Sequence, residues 1–195
     1  MLVRPAPAPY LSHMHPPARL LAALILAAPA GVLAQGRPAH APVHPAPVRP
    51  SAGAPKSIGK WDDWQAATHQ EGGALVCYAF TSPIASAPPV SGRGNVVLTV
   101  TQRPGSRDAV AISAGFAYAG GAEVQVQVDA AQLPFYTANR NAFAKDGRAV
   151  IAAFERGRQA VAKSPAPRAA AVSDTFSLRG FTPAYAAINK ACPSR

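Results

Sequence analysis

Beyond Lys56 the apolar residues of this chain mostly recur at every second position. The clearest run is Glu123-Val-Gln-Val-Gln-Val128, which places Val124, Val126 and Val128 on one face of an extended strand. Similar β-favouring runs cover Ala74–Phe80, Asn95–Gln102, Ala109–Tyr118 and Gln132–Thr137. Turn residues separate them: Gly72-Gly73, Gly92 and Gly94, Pro104-Gly105, and Gly120-Gly121. The Gly120-Gly121 pair predicts a hairpin joining the runs on either side of it. These segments predict an antiparallel meander.

Helical periodicity comes later and is shorter. Asp146 is placed to cap a helix reaching about Arg156, with Val150, Ile151 and Phe154 on one side and Gly157 ending it. Gln159–Lys163 and Asp174–Leu178 predict two more strands, separated by a loop over Ser164–Arg168. A last helix is predicted with Thr182 as N-cap, Pro183 in its first turn, Tyr185 and Ile188 on one stripe and Cys192 beyond. Strands first and helices late predict a mainly β domain over residues 57–195. The expected architecture is an antiparallel β-sandwich, Ig-like, with short C-terminal helical additions.

The pattern changes before that domain. Residues 1–34 have the form of a signal peptide: a basic n-region holding Arg4 and Arg19, an apolar run Leu20–Ala28, and Val32-Leu33-Ala34 at the expected cleavage point. The n-region is long, so Met14 is an alternative start. The apolar run is shorter than the ~20 residues that a membrane span needs, so no transmembrane segment is expected in the mature form. Residues 35–56 carry Pro38, Pro42, Pro45, Pro47, Pro50 and Pro55. Proline fixes φ and removes donors, which predicts an extended proline-rich linker reaching about 70 Å at ~3.1 Å per residue. Those prolines forbid the helix on which His40 and His44 could share a metal.

Charge narrows the partners. The formal net charge is +10, and loss of Arg4 and Arg19 with the first 34 residues leaves +8. A basic chain is drawn to anionic surfaces, but export removes nucleic acid from the expected partners. Peripheral association with an anionic membrane surface is compatible with the charge. No run of five or six like charges concentrates it, so a plain solvated basic surface accounts for it as well.

Cys77 and Cys192 are the chain's two cysteines. In an oxidising compartment they point to one disulfide, closing nearly the whole domain. Two buried thiols, or one reactive cysteine, are the alternatives.

Signals of catalytic chemistry in the chain are weak. His69 is the domain's one histidine and reads as an exposed loop residue; no metal site or cofactor is expected. Ser113 lacks the first glycine of a nucleophile elbow. Ser57-Ile-Gly-Lys60 matches a Ser-x-x-Lys pattern that belongs on a helix start inside a larger fold. Gly92-Arg-Gly94 reads as a turn. Asp62 and Asp63 are adjacent and face opposite ways in a strand, so they cannot serve as paired acid and base. Trp61, Trp64 and Tyr78 form either core or an aromatic platform. Arg140, Arg148, Arg156, Arg158, Arg168 and Arg179 would suit an anion if they converged. Asp108, Asp146 and Glu155 would have to converge in a cleft for an unrecognised hydrolase.

Several stretches resemble one family. They are Gly59-Lys-Trp-Asp-Asp-Trp64, Cys77-Tyr78, the meander through Val128-Asp129, Phe154-Glu-Arg-Gly157, and above all Asp174-Thr-Phe-Ser-Leu-Arg-Gly-Phe181 followed by a helix ending at Cys192. Over about Gly59 to Pro193 the chain resembles the invasion-associated locus B family of exported proteobacterial proteins. That resemblance implies a periplasmic or envelope location, a β-sandwich and a disulfide between the matching cysteines, with no agreed catalytic residues. This chain departs from the family pattern in having a second tryptophan and lacking an early cysteine. The expected function is non-catalytic binding of an envelope component or protein partner in the periplasm. The alternatives are a periplasmic chaperone or assembly factor, or a hydrolase.

Overall fold

The computed structural model describes residues 53–167 and 171–194. The expected signal peptide, most of the expected linker and Arg168 lie outside the described residues. Among those residues there are eleven strands and two helices. In chain order they are β1 (Lys56–Trp61), β2 (Trp64–Glu71), β3 (Ala74–Thr81), β4 (Ala85–Ala87), β5 (Val97–Arg103), β6 (Ser106–Ser113), β7 (Glu123–Val128), β8 (Ala131–Ala138), β9 (Asn141–Ala144), α1 (Gly147–Phe154), β10 (Gln159–Ser164), β11 (Val172–Ser177) and α2 (Phe181–Ala191). The strands form one sheet in the order β1-β2-β3-β5-β6-β9-β8-β7-β10-β11-β4, and every neighbouring pair is antiparallel. The mainly β, sandwich-like architecture with short helices is therefore as expected.

The period-two pattern explains how so wide a sheet builds one core. Alternate residues of almost every strand point inward: Cys77 and Ala79, Leu98 and Val100, Val110 and Ile112, Val124 and Val126, Leu133 and Phe135, Ala160 and Ala162, and Phe176. With Val150 and Phe154 of α1 and Phe181, Ala184 and Ile188 of α2 they make a single buried cluster. A flat sheet could not do this, because its end strands would stand tens of ångströms apart at ~4.8 Å per strand. Here the ends meet. Trp64 of β2, second in the sheet, donates Nε1–H to the carbonyl of Ser177 in β11, tenth in the sheet, at 2.9 Å. The Trp64 ring packs against Phe181 and Phe154, with centroids 4.9 and 6.4 Å away.

Several expectations change. Gly120-Gly121 joins two segments that do not pair: β6 lies between β5 and β9, while β7 lies between β8 and β10. The run Ala109–Tyr118 leaves the sheet after Ser113 because Ala114 and Phe116 bury in a second small cluster with Val172. The first strand opens at Lys56, inside the expected linker, and pairs with β2 through Trp61 opposite Trp64. His69 is half-buried in β2 rather than in a loop, its ring 5.5 Å from Tyr78. Asp146 caps α1 as expected, accepting the Ala149 N–H at 3.1 Å. The helix ends at Phe154, and Gly157 is needed for packing: a Cβ there would sit 2.3 Å from Val128 Cγ1. The last helix is capped by Gly180, not Thr182, and starts at Phe181 so that this ring reaches the core.

Candidate functional site

Three structured regions hold the chemistry-bearing side chains. The first is the corner where α2 returns to β3. The inward side of β3 brings Cys77 to the end of α2, and Cys77 is bonded to Cys192, with their Cα atoms 6.0 Å apart. Both sequence-proposed site residues therefore meet. Arg107 of β6 reaches over this corner and donates to the Cys192 carbonyl and to Asn189 Oδ1. Beside it Asp108, at φ 56, turns its carboxylate inward. Asp108 Oδ1 accepts from Gln102 Nε2 at 2.7 Å and from the Tyr185 hydroxyl at 2.6 Å, while its backbone N–H donates to Gln102 Oε1 at 2.9 Å. Gln102 is wholly buried, so this exchange satisfies a side chain that would otherwise cost free energy inside the core. Burial, and then the hydrogen bond it donates to Asp108, raise the Tyr185 phenol above its usual pKa. A phenol so shifted is a donor near neutrality and not a base or nucleophile.

The second region lies near the far edge of the sheet. Arg93 forms a two-pronged ion pair with Asp174, Nη1–Oδ1 at 2.8 Å and Nη2–Oδ2 at 2.6 Å. Asp174 is fully buried in β11. Ser86 of β4 donates to the same carboxylate at 2.6 Å, and Arg93 Nε donates to the Ala114 carbonyl at 2.7 Å. The guanidinium also lies 5.1 Å from the Phe116 ring centre. Nearby, Tyr118 and Ser164 share a hydroxyl hydrogen bond of 3.1 Å. Burial raises the Tyr118 pKa, partly offset by that bond. All three nitrogens of Arg93 donate within the fold, so this pair ties β4 and the Gly92–Gly94 turn to β11. In the sequence Gly92-Arg-Gly94 reads as a turn and Asp174 as part of the family resemblance, and nothing in their spacing signals a pair.

The other sequence candidates have these places. Asp146 is occupied as the cap of α1, whose first residue Gly147 packs against the Asp108 backbone, and Glu155 ends the same helix with its charge acting on the Tyr185 phenol that bonds Asp108. Asp62 and Asp63 form the turn between Trp61 and Trp64, where Asp62 meets exposed Arg179 at 3.3 Å. Arg140 donates to the Gly115 carbonyl at 2.7 Å. Arg158 lines a shallow hollow of about 450 Å³ together with Asp129. Ser57 and Lys60 lie on β1 and not on a helix. Among the described residues no three of His, Cys, Asp and Glu gather as metal ligands. Trp64 is core and Trp61 is half-buried beside it.

The third region is the outward side of the sheet. The register sets Phe80, Thr99, Ala111, Phe143 and Tyr136 opposite one another across five adjacent strands. Directly opposed residues share a face. Tyr136 is 49 % exposed and stacks on Phe143, centroids 5.5 Å apart. At the other end Phe80 lies 5.7 Å from Tyr78, which in turn meets His69. Two pairs of aromatic rings thus flank a low floor of Thr99 and Ala111, on the side away from the helices. This platform includes Tyr78, as considered from sequence, but its other members are new, because cross-strand register cannot be read from one strand.

The family model for Invasion associated locus B (IalB) protein matches residues 64–189. No curated protein and no solved structure matches the chain. The matched span contains Asp174, Phe176, Ser177, Gly180 and Phe181, which make the buried ion pair, the Trp64 contact and the seat of α2.

Proposed function

The chain belongs to the invasion associated locus B family, and from that premise we propose that it is an exported, non-catalytic binding protein of the periplasm or envelope. In this reading the signal peptide is removed, the proline-rich linker carries the domain, and the outward aromatic row is the contact surface. The row carries the proposal. Tyr136 is exposed and Tyr78, Phe80 and Phe143 are half-buried; aromatic rings set in a rigid sheet supply contact area at low conformational cost. The ionisable groups inside the fold point the same way: Asp108, Asp174 and Arg93 are committed to partners, and Tyr185 and Tyr118 hold their protons more tightly than usual.

The strand-addition reading fits the two sheet edges less well. β1 carries Lys56, Lys60 and a register shift between Ser57 and Gly59. β4 is three residues long and flanked by Pro83, Pro88 and Pro89. Lysines, bulges, prolines and short length are the devices that keep an edge from pairing with another chain.

The test is retention of the mature protein by its own envelope fraction. Tyr136→Ala combined with Phe143→Ala should weaken retention about tenfold or more, the scale of losing an anchoring aromatic pair, with little change in thermal midpoint. Unaltered retention of a folded double variant would place the contact elsewhere.

A further inference from the structure

Beyond the aromatic row the outward face is built of amides rather than hydrocarbon. Val124, Val126 and Val128 of β7 and Leu133 and Phe135 of β8 point into the core, so Gln125, Gln127, Gln132, Pro134 and Tyr136 stand on the outward side. The register sets Glu123 opposite Tyr136, Gln125 opposite Pro134 and Gln127 opposite Gln132. The two strands thus carry a continuous track of an aromatic ring, a proline ring and amides. From Glu123 to Gln127 it runs about 13 Å at ~3.3 Å per residue. At the Gln127 end lies the hollow of about 450 Å³, lined also by Asp129, Arg158 and Gln159. That volume falls in the range of small-ligand sites. At the other end the Tyr136 ring is 49 % exposed and is held by its stack on Phe143.

Charge selects the ligand class. The chain carries a formal +10, yet this track is close to balanced. Glu123 is paired with Lys145 at 2.5 Å, and the hollow holds an acid and a base, Asp129 and Arg158. Lys163 of β10, level with Gln125, is the excess charge beside it. Such a surface exerts little pull on a polyanion. A glutamine amide both donates and accepts, which matches a hydroxyl group that does the same. The negative face of an exposed aromatic ring suits the C–H face of a sugar ring.

We propose that the β7–β8 track binds an extended, uncharged polysaccharide. One sugar stacks on Tyr136, the hydroxyls that follow bond to Gln125 and Gln132, and a further sugar sits in the hollow beside Asp129 and Arg158. The proposal rests on the outward row being a contact surface and names what that surface takes.

The test titrates the full mature protein by calorimetry with cellohexaose and chitohexaose, two uncharged six-sugar chains, and with their monosaccharides. At least one hexamer should bind saturably, and its monosaccharide at least about tenfold more weakly, because a single sugar cannot span the track. Tyr136→Ala should weaken the hexamer about tenfold, the scale of an aromatic anchor, whereas Tyr136→Phe, which keeps the ring, should bind as the parent does. Gln125→Ala and Gln132→Ala, both at exposed positions, should each weaken it about two- to tenfold, the scale of one hydrogen bond, at an unchanged thermal midpoint. Binding by neither hexamer, equal affinity for hexamer and monosaccharide, or full-strength binding by Tyr136→Ala would each overturn the proposal. The two readings fail separately. If neither hexamer binds while Tyr136→Ala with Phe143→Ala still loses retention by the envelope fraction, the row meets another class of partner and the glycan assignment alone falls. If Tyr136→Ala loses the hexamer and retention is unchanged, the track stands and the envelope contact lies elsewhere.

Discussion

Arg93 and Asp174 are 81 positions apart and meet through two hydrogen bonds in a dry setting. Burying two charges is costly, and their attraction repays the cost only when every donor and acceptor is satisfied. Here both carboxylate oxygens and all three guanidinium nitrogens have partners, with Ser86 and the Ala114 carbonyl completing the set. Removing one partner strands the other. Asp174→Ala or Arg93→Met should each lower unfolding free energy by about 3–5 kcal/mol, seen as a lower urea midpoint. The double apolar replacement should cost less than the sum of the two. Single-variant losses below about 1 kcal/mol would mean that the pair is not a structural tie.

At the scale of elements, α2 is held by what precedes it and by one phenol. Gly180 has φ 84, and a Cβ there would fall 1.9 Å from the Trp61 carbonyl oxygen, so the β1–β2 turn fits only against glycine. Further along, Tyr185 bonds the helix to Asp108 on β6. Its pKa is raised in the folded state, first by burial and then by the Asp108 bond. The folded protein therefore keeps a proton that the unfolded chain releases near pH 10. Its stabilising contribution is complete below about pH 10 and declines as pH climbs toward the folded value. Denaturant titrations in this alkaline range should show a shallower loss of stability in Tyr185→Phe than in the parent. Equal slopes would show that Tyr185 titrates as it does in the unfolded chain.

For the whole molecule, the disulfide closes a sequence separation of 115 residues between the third strand and the last helix. In the chain-entropy view a loop of that length restricts the unfolded state by roughly 4–5 kcal/mol. That is a large share of the ~5–15 kcal/mol that keeps a domain folded. Reduction, or Cys77→Ala with Cys192→Ala, should lower the thermal midpoint by roughly 10–20 °C, measured by circular dichroism with and without reductant. A shift of a degree or two would show that the core, closed by Trp64 against Ser177, holds the domain without its clasp.

What the sequence by itself determined is local or compositional. Alternation in Glu123–Val128 set a strand and its inner face, Asp146 set a helix start, and two cysteines limited the sulfur chemistry to one pairing. These follow from periodicity, capping and counting, which act over a few residues or need no geometry at all. Tertiary structure decided which strands pair, so Gly120-Gly121 became a crossing rather than a hairpin. It also decided that Arg93 reaches Asp174 and that Tyr136 and Phe80 share a row. Those outcomes depend on cross-strand register and sheet closure, which are set by the sum of all contacts and leave no mark at any single position.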